Sequence, residues 1–280
     1  MSPDAVLSAL AARASEHHTQ EQGCRLAWKR WSSPVAGAPS LLLIHGGFGS
    51  WTHWAANIEA LLQDFNVWTV DLPGLGASGD MPRPWSTAAI TDQVLAGWRS
   101  LRPAGEPVDI AGFSFGGLIA GQLAAALGQA CRRCILVGAS GFGPLHVQAD
   151  LLPPPGPDVP AEVAEAIHRE NLSRLMFHDP AMIDALALYI HADNLARHRL
   201  RSRGMAGSND LADTLGQISA RLVGIWGEYD ATAGGMENLR ARESLFTSVQ
   251  PAAEFHILPG VGHWAIFEAA PEVNRLILAR

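Results

Sequence analysis

Several runs of this chain are apolar almost without interruption. Leu41-Leu42-Leu43-Ile44, Ile135-Leu136-Val137 and Leu222-Val223-Gly224-Ile225-Trp226 show no alternation of polar and apolar residues. A strand with one wet face alternates, so such runs belong to strands covered on both sides. Strands are expected near 26–31, 41–45, 66–71, 108–113, 134–139, 222–227 and 254–258. Helical patterns lie near 53–64, 87–101, 115–128, 236–246 and 265–279. This alternation predicts an α/β chain whose mostly parallel sheet carries helices on both faces. Functional loops then belong at the carboxyl ends of the strands.

Composition permits this and excludes other classes. The chain has 280 residues, 48% of them hydrophobic, enough for a sizeable core. Its net charge is −7 with no basic block, which argues against nucleic acid as a partner. No apolar run approaches the ~18 residues of a membrane span. The first fifteen residues contain an apolar stretch, but Asp4 stands where a signal segment has basic residues, so a short helix is expected there. The three cysteines, Cys24, Cys131 and Cys134, suggest no disulfide framework and a reducing, cytoplasmic setting. Cys131 and Cys134 form a C-x-x-C without the second pair that a structural zinc site needs, so they read as core residues.

The chemistry is carried by Gly112-Phe113-Ser114-Phe115-Gly116, between an expected strand and an expected helix. G-x-S-x-G in that context is a nucleophile elbow, a tight turn that lifts a serine hydroxyl clear of a sheet. A serine nucleophile needs a base, and the base an orienting acid. The strand at 222–227 runs into Glu228-Tyr229-Asp230, and the strand at 254–258 runs into Pro259-Gly260-Val261-Gly262-His263-Trp264. The order Ser114, Asp230, His263 resembles that of the α/β-hydrolases, and the chain looks like a capped serine hydrolase of that superfamily.

The resemblance implies an eight-stranded α/β-hydrolase sheet with a helical cap inserted after strand 6. The core is expected at 1–140 and 215–280, and the cap at 141–214. The loop after the 41–45 strand, His45-Gly46-Gly47-Phe48-Gly49-Ser50, and the residue after the nucleophile supply the family's oxyanion N–H groups. By motif position these are Gly47 and Phe115. Asp71 resembles a structural turn residue in Asp71-Leu72-Pro73-Gly74-Leu75-Gly76-Ala77-Ser78, where Leu75 replaces the histidine of many members. His45 is expected to serve loop structure, Glu228 is a reserve acid for Asp230, and Asp109 is badly placed to reach His263. The remaining histidines lack metal-ligand spacing. No metal or organic cofactor is implied.

The insertion opens with the proline-rich stretch 151–157, a stiff hinge. Helix-like runs follow at 161–169, 172–177, 180–191 and 194–203. Phe48, Phe113, Trp264, Met176, Phe177 and Tyr189 are the candidate substrate contacts. Arg197, Arg199, Arg201 and Arg203 share no helical face. They are expected to be solvated or paired with acids such as Asp193 and Asp210, with one of them available to a substrate carboxylate.

The expected reaction is hydrolysis of a carboxylic ester, or a related acyl bond, of a small organic molecule. A carbon–carbon bond hydrolase of the meta-cleavage-product type is the alternative. The cap, Trp264 and the tail from Glu268 to Leu278 resemble that group. Its usual H-G-x-G-P-G and the asparagine before its serine are absent here, where Phe113 precedes Ser114. Ser114 argues against haloalkane dehalogenases and epoxide hydrolases, which need an aspartate nucleophile. A small-molecule receptor on the same fold is the alternative of another class. A small-molecule substrate is the partner implied, and a homodimer through the cap is left open.

Overall fold

The uninterrupted apolar runs form the middle of an eight-stranded sheet. Its strands are β1 (Ser15–Glu21), β2 (Cys24–Trp31), β3 (Ser40–Ile44), β4 (Asn66–Val70), β5 (Val108–Phe113), β6 (Cys131–Val137), β7 (Arg221–Gly227) and β8 (Glu254–Leu258). The spatial order is β1-β2-β4-β3-β5-β6-β7-β8. β2 pairs antiparallel with β1 and β4, and the other pairings are parallel. The computed structural model describes residues 1–21, 23–103, 105–156 and 158–279.

Successive residues of a strand point to opposite faces, and here both faces are apolar. Leu42, Ile44, Ile110, Leu136, Leu222 and Trp226 enter one core; Leu41, Leu43, Phe113, Ile135, Val223 and Ile225 enter the other. Helices α1 (Pro3–Ala11) and α2 (Ile58–Leu61) lie over the second core, and α3 (Thr87–Leu101) and α4 (Phe115–Leu127) over the first. In α4, Leu118, Ile119 and Leu123 are fully buried. Each such side chain contributes about 1.5–3 kcal/mol by leaving water.

Between β6 and β7 the chain leaves the sheet. There it forms α5 (Ala161–Leu175), α6 (Ala185–Arg197), α7 (Arg203–Ala206) and α8 (Asp210–Leu215). Helices α9 (Met236–Val249), α10 (Ala265–Glu268) and α11 (Ala270–Leu278) complete the chain. Leu211 of α8, inside the 141–214 segment expected to be cap, joins the first core beside α4 together with Leu215, which lies just past it. Of the proline-rich stretch, Pro157 lies outside the described residues, and 151–156 has no regular structure. Asn171 of α5 holds that stretch by accepting from Leu152 N and donating to Leu152 O, at 2.8 and 3.0 Å.

Three local expectations are corrected. Strand β1 was not foreseen: Ser-Glu-His-His-Thr-Gln-Glu is polar, and Thr19 alone of its seven residues is buried, because this is an edge strand. The helix expected at 53–64 is a 3-10 turn at Trp51–Trp54 followed by the short α2. The run at 194–203 stops being helical after Arg197. There Arg199 N and Leu200 N both donate to Gly74 O, and Leu200 turns into the core.

Candidate active site

The parallel part of the sheet changes direction at β3: the chain adds β4 on one side of it and then β5 on the other. A crevice forms at the carboxyl ends of strands at such a point. Ser114 follows β5 there, with φ 53°, a left-handed conformation costly for a residue with a Cβ. The strain is held by hydrogen bonds on both sides. Ser114 N donates to Val137 O at 2.9 Å, and Ser114 O accepts from Gly117 N and Ser140 N at 2.9 and 3.1 Å. The motif glycines serve close approach. A methyl at Gly116 would collide with the carbonyls of His45 and Ile44, and one at Gly112 with the carbonyl of Gly116. Glycine therefore lets the first turn of α4 sit directly on the end of β3.

Three side chains from three loops form one hydrogen-bonded chain. His263 Nε2 lies 2.9 Å from Ser114 Oγ, and His263 Nδ1 lies 2.9 Å from Asp230 Oδ2. The tautomer that satisfies both partners carries its proton on Nδ1, leaving Nε2 to accept from the serine. Asp230 Oδ1 accepts from Thr232 N and from Thr232 Oγ1, both at 2.8 Å. Burial alone would raise the Asp230 pKa. The adjacent His263 and the hydrogen bonds from His263 and Thr232 outweigh it and hold the carboxyl below its ordinary value. Glu228 instead accepts from Gly260 N at 3.0 Å, and Asp109 is paired with Arg132 and Arg133 inside the sheet.

Gly47 and Phe115 line the same cavity as Ser114. Among the described residues neither N–H has a backbone acceptor; that of Phe115 is the first of α4, where the helix itself offers none. His45 braces this region. Its Nε2 accepts from Leu72 N at 2.9 Å, its Nδ1 donates to Gly46 O at 2.7 Å, and burial lowers its pKa. Asp71 accepts from Trp51 N and Ala77 N, both at 2.8 Å, a structural arrangement.

The cavity has a volume of about 410 Å³ and lies between the sheet ends and the insertion. Phe48 and Met176, both expected to touch substrate, line it; Phe113, Phe177, Trp264 and Tyr189 are not among its lining residues. Phe113 is fully buried beneath the site, its ring 5.0 Å from that of His263 and 5.6 Å from that of His53. Trp264 and Phe177 pack on each other and on Phe267, and Trp264 Nε1 donates to His53 O at 3.2 Å. Tyr189 faces away, its hydroxyl donating to Asp4 at 3.1 Å. Each aromatic found a packing partner, which no sequence pattern marked in advance.

Other lining residues were not singled out in the sequence: Thr232, His53, His146, His191 and Ser202. For Thr232 a signal existed, since a threonine two residues after an aspartate suits a side-chain-capped turn. The cap arginines divide. Arg197 pairs with Asp193 and Arg199 with Asp80, whereas Asp210 accepts from Thr87. Arg201 and Arg203 line the cavity, are exposed, and have no ion pair among the described residues. Glu268, also not foreseen as a brace, accepts from His178 N, Asp179 N and Gly262 N at 3.0, 2.9 and 2.6 Å. One carboxylate thus ties the turn after α5 to the loop that carries His263.

Cys24, Cys131 and Cys134 are buried and free; burial pushes Cys131 up to about 12, which suppresses thiolate chemistry. Among the described residues no cluster of His, Cys, Asp and Glu is arranged to hold a metal ion, and no helix is long and apolar enough to cross a membrane.

The chain matches the Alpha/beta hydrolase family over residues 41–276. It is 28% identical to a 2-hydroxy-6-oxononadienedioate/2-hydroxy-6-oxononatrienedioate hydrolase of Cupriavidus pinatubonensis, over 87% of this chain and 86% of that one. It is 29% identical to the dihydrolipoyllysine-residue acetyltransferase component of the acetoin cleaving system of Pseudomonas putida, over 87% of this chain and 63% of that one. Among solved structures, a carboxylesterase of Bacillus subtilis superposes with a TM-score of 0.73 at 18% identity, covering 99% of this chain and 94% of that one. A meta-cleavage product hydrolase of Pseudomonas fluorescens gives 0.72 at 18% identity, covering 95% and 97%. At such identities the superpositions speak for the fold alone. With the eight-stranded sheet, the helical insertion after β6 and the family match over most of its length, this chain belongs to the alpha/beta hydrolase family.

Proposed function

We propose that the protein hydrolyses a carboxylic ester, or a related acyl bond, of a small organic substrate through an acyl-enzyme. The observation that carries this reading is the unbroken chain Ser114–His263–Asp230, at 2.9 Å in each link, opening onto a cavity shared with Gly47 and Phe115. Ser114 Oγ attacks the carbonyl carbon while His263 Nε2 takes its proton. Asp230 holds the imidazole and stabilises the imidazolium. The oxygen that becomes negative is received by the N–H groups of Gly47 and Phe115, each such donor typically supporting about 10²–10³ in rate. The tetrahedral adduct expels the alcohol, which leaves with the proton from His263. Water then gives its proton to His263, attacks the acyl carbon, and the acid departs as Ser114 regains its proton. The lining is mainly apolar, including Leu151, Leu152, Leu175 and Met176, and suits a small or medium acyl group.

The test is hydrolysis of p-nitrophenyl esters of rising acyl length by wild type and Ser114→Ala. Turnover is expected in wild type and a fall of at least about 10³-fold in the variant. Turnover that survives in Ser114→Ala rules out the nucleophile.

A second reading, carbon–carbon bond hydrolysis of a dienedioate, is favoured by the activity named for the Cupriavidus relative and by Arg201 and Arg203 at the cavity, which suit a carboxylate. Against it, Phe113 brings no polar atom to the cavity where that group has asparagine. Bleaching of a 2-hydroxy-6-oxo dienedioate chromophore, faster than any ester is cleaved, would reverse the order of the two readings. A third class, a receptor that binds without turning over, predicts one retained acyl group per chain and no further product.

A further inference from the structure

Two histidines outside the triad line the cavity from different elements. His53 belongs to the turn after β3, and His191 to α6 of the insertion. Their approach is fixed by a buried polar clasp. Asn194, one helical turn beyond His191 and on the same face of α6, accepts from Ser50 Oγ at 2.7 Å and donates to Thr52 Oγ1 at 3.1 Å. Ser50 and Thr52 lie just before His53 in the chain, so the clasp brings the two imidazoles to one wall. His191, Leu195 and His198 stand at the i, i+4 and i+7 positions, and all three line the cavity.

Neither ring of this pair is satisfied by the protein. His53 Nδ1 and His191 Nε2 are enclosed by protein without a hydrogen-bond partner, and among the described residues the other ring nitrogens, His53 Nε2 and His191 Nδ1, have none either and are the ones left to the cavity. His53 is 4% exposed and is packed between Phe113 and Trp264, so it cannot turn to find water outside. A buried polar group left unmade costs about 1–3 kcal/mol. The enclosed nitrogens are out of a ligand's reach, whereas the nitrogen that each ring leaves at the cavity wall is completed when a ligand pairs with it. Burial, and for His191 also the neighbouring His168, holds both rings in the uncharged form. An uncharged imidazole offers one N–H and one lone pair, which matches a hydroxyl or oxo oxygen and gives a carboxylate no counter-charge. The cations, Arg201 and Arg203, stand exposed on other parts of the lining.

We propose that His53 and His191 form a polar subsite for an uncharged oxygen, a hydroxyl or oxo group borne by the acyl chain a few bonds from the scissile carbonyl. This rests on the ester-hydrolase reading for its orientation but not for its existence. A site built to pair a substrate oxygen discriminates against the analogue lacking it, because its own polar groups are then left bare.

The experiment uses Ser114→Ala, which keeps the cavity and cannot turn the ester over. Calorimetry compares phenyl 3-hydroxybutyrate, phenyl butyrate and the phenyl monoester of succinate. The hydroxy ester is expected to bind at least about 10-fold more tightly than the plain ester, one hydrogen bond's worth. In Ser114→Ala/His191→Leu that preference is expected to vanish, and in Ser114→Ala/His191→Gln, which restores a donor and an acceptor, to return. Equal affinity of the hydroxy and plain esters overturns the proposal without any need for the His191 variants. So does tightest binding of the succinate monoester, which would assign recognition to the arginines. Wild-type turnover of the same esters is scored separately. Preference in binding without turnover removes the hydrolase reading and keeps the subsite; turnover without preference does the reverse.

Discussion

Replacing Thr232 by valine preserves the shape of the side chain and removes one hydroxyl from the acid of the triad. Asp230 Oδ1 now accepts from both Thr232 N and Thr232 Oγ1 at 2.8 Å, which fixes the carboxylate plane and leaves Oδ2 for His263. The valine variant leaves that buried oxygen with a single donor. A hydrogen bond to a charged group is worth about 1.5–3 kcal/mol. At about 1.4 kcal/mol per decade, its full expression at the transition state is a fall of about 10- to 150-fold in kcat/KM. The loss is expected in kcat, since the bond between Asp230 and His263 tightens as the imidazole gains its proton. Thr232→Ser, which keeps the hydroxyl, is expected to retain most of the activity. Ester hydrolysis at limiting and saturating substrate, with far-UV circular dichroism to establish folding, decides the matter. A folded Thr232→Val protein with wild-type kcat would refute the argument, because the backbone N–H alone would then suffice to hold the acid.

Three further outcomes are expected. Glu268→Gln puts an amide NH₂ among three backbone N–H donors, from His178, Asp179 and Gly262, and should cost about 1.5–3 kcal/mol, read as a Tm lower by about 3–10 °C; an unchanged Tm would show that the brace is dispensable. Gly116→Ala drives a methyl into the carbonyls of His45 and Ile44, both backbone, and should destabilise by about 1–3 kcal/mol or more in urea titrations, with a wild-type midpoint contradicting the close approach. The third concerns pH. His191 is held at about 4 by burial and by His168, against 6.5 for the free side chain, and burial also lowers His45 and His53. The unfolded chain therefore takes up protons that the folded one refuses, and unfolding free energy falls as pH drops from 6.5 towards 4. His191 alone accounts for about 2 kcal/mol of loss between pH 7 and pH 5. His191→Gln should reduce that difference, and a wild-type stability independent of pH over this range would refute the assignment.

The parts of this chain that were legible in the sequence are those dictated by the backbone. The doubly covered strands announce themselves because β3 from Leu41 to Ile44 and β7 from Leu222 to Trp226 carry no polar residue on either face. The elbow announces itself because Gly112 and Gly116 are required by collisions with main-chain carbonyls, which no neighbour can relieve. Asp230 and His263 follow from their places after strands. What was illegible depends on tertiary partners. Polar β1 is a strand because β2 offers it an edge. The chain after Arg197 abandons the helix because Gly74 O captures the N–H groups of Arg199 and Leu200. Trp264 and Phe177 looked like pocket residues, yet each is consumed by aromatic packing around Phe267. His53 and His191 reach one wall through Asn194, a contact spanning more than a hundred residues of chain, and no local pattern encodes it.

The loop proposed to receive the oxyanion is braced from the insertion side. A Cβ on Gly47 would stand 2.7 Å from Ser202 Oγ, and the ring of Phe48 meets that of His198 edge-on at 4.9 Å. Phe48 is itself held at φ 55°, a conformation that persists only where surroundings impose it. Ser202 and His198 belong to the segment that roofs the cavity. The roof therefore acts as a buttress: the loop takes its shape from the insertion as well as from the sheet, so thinning the contact at Ser202 or His198 is felt at Gly47 and Phe48.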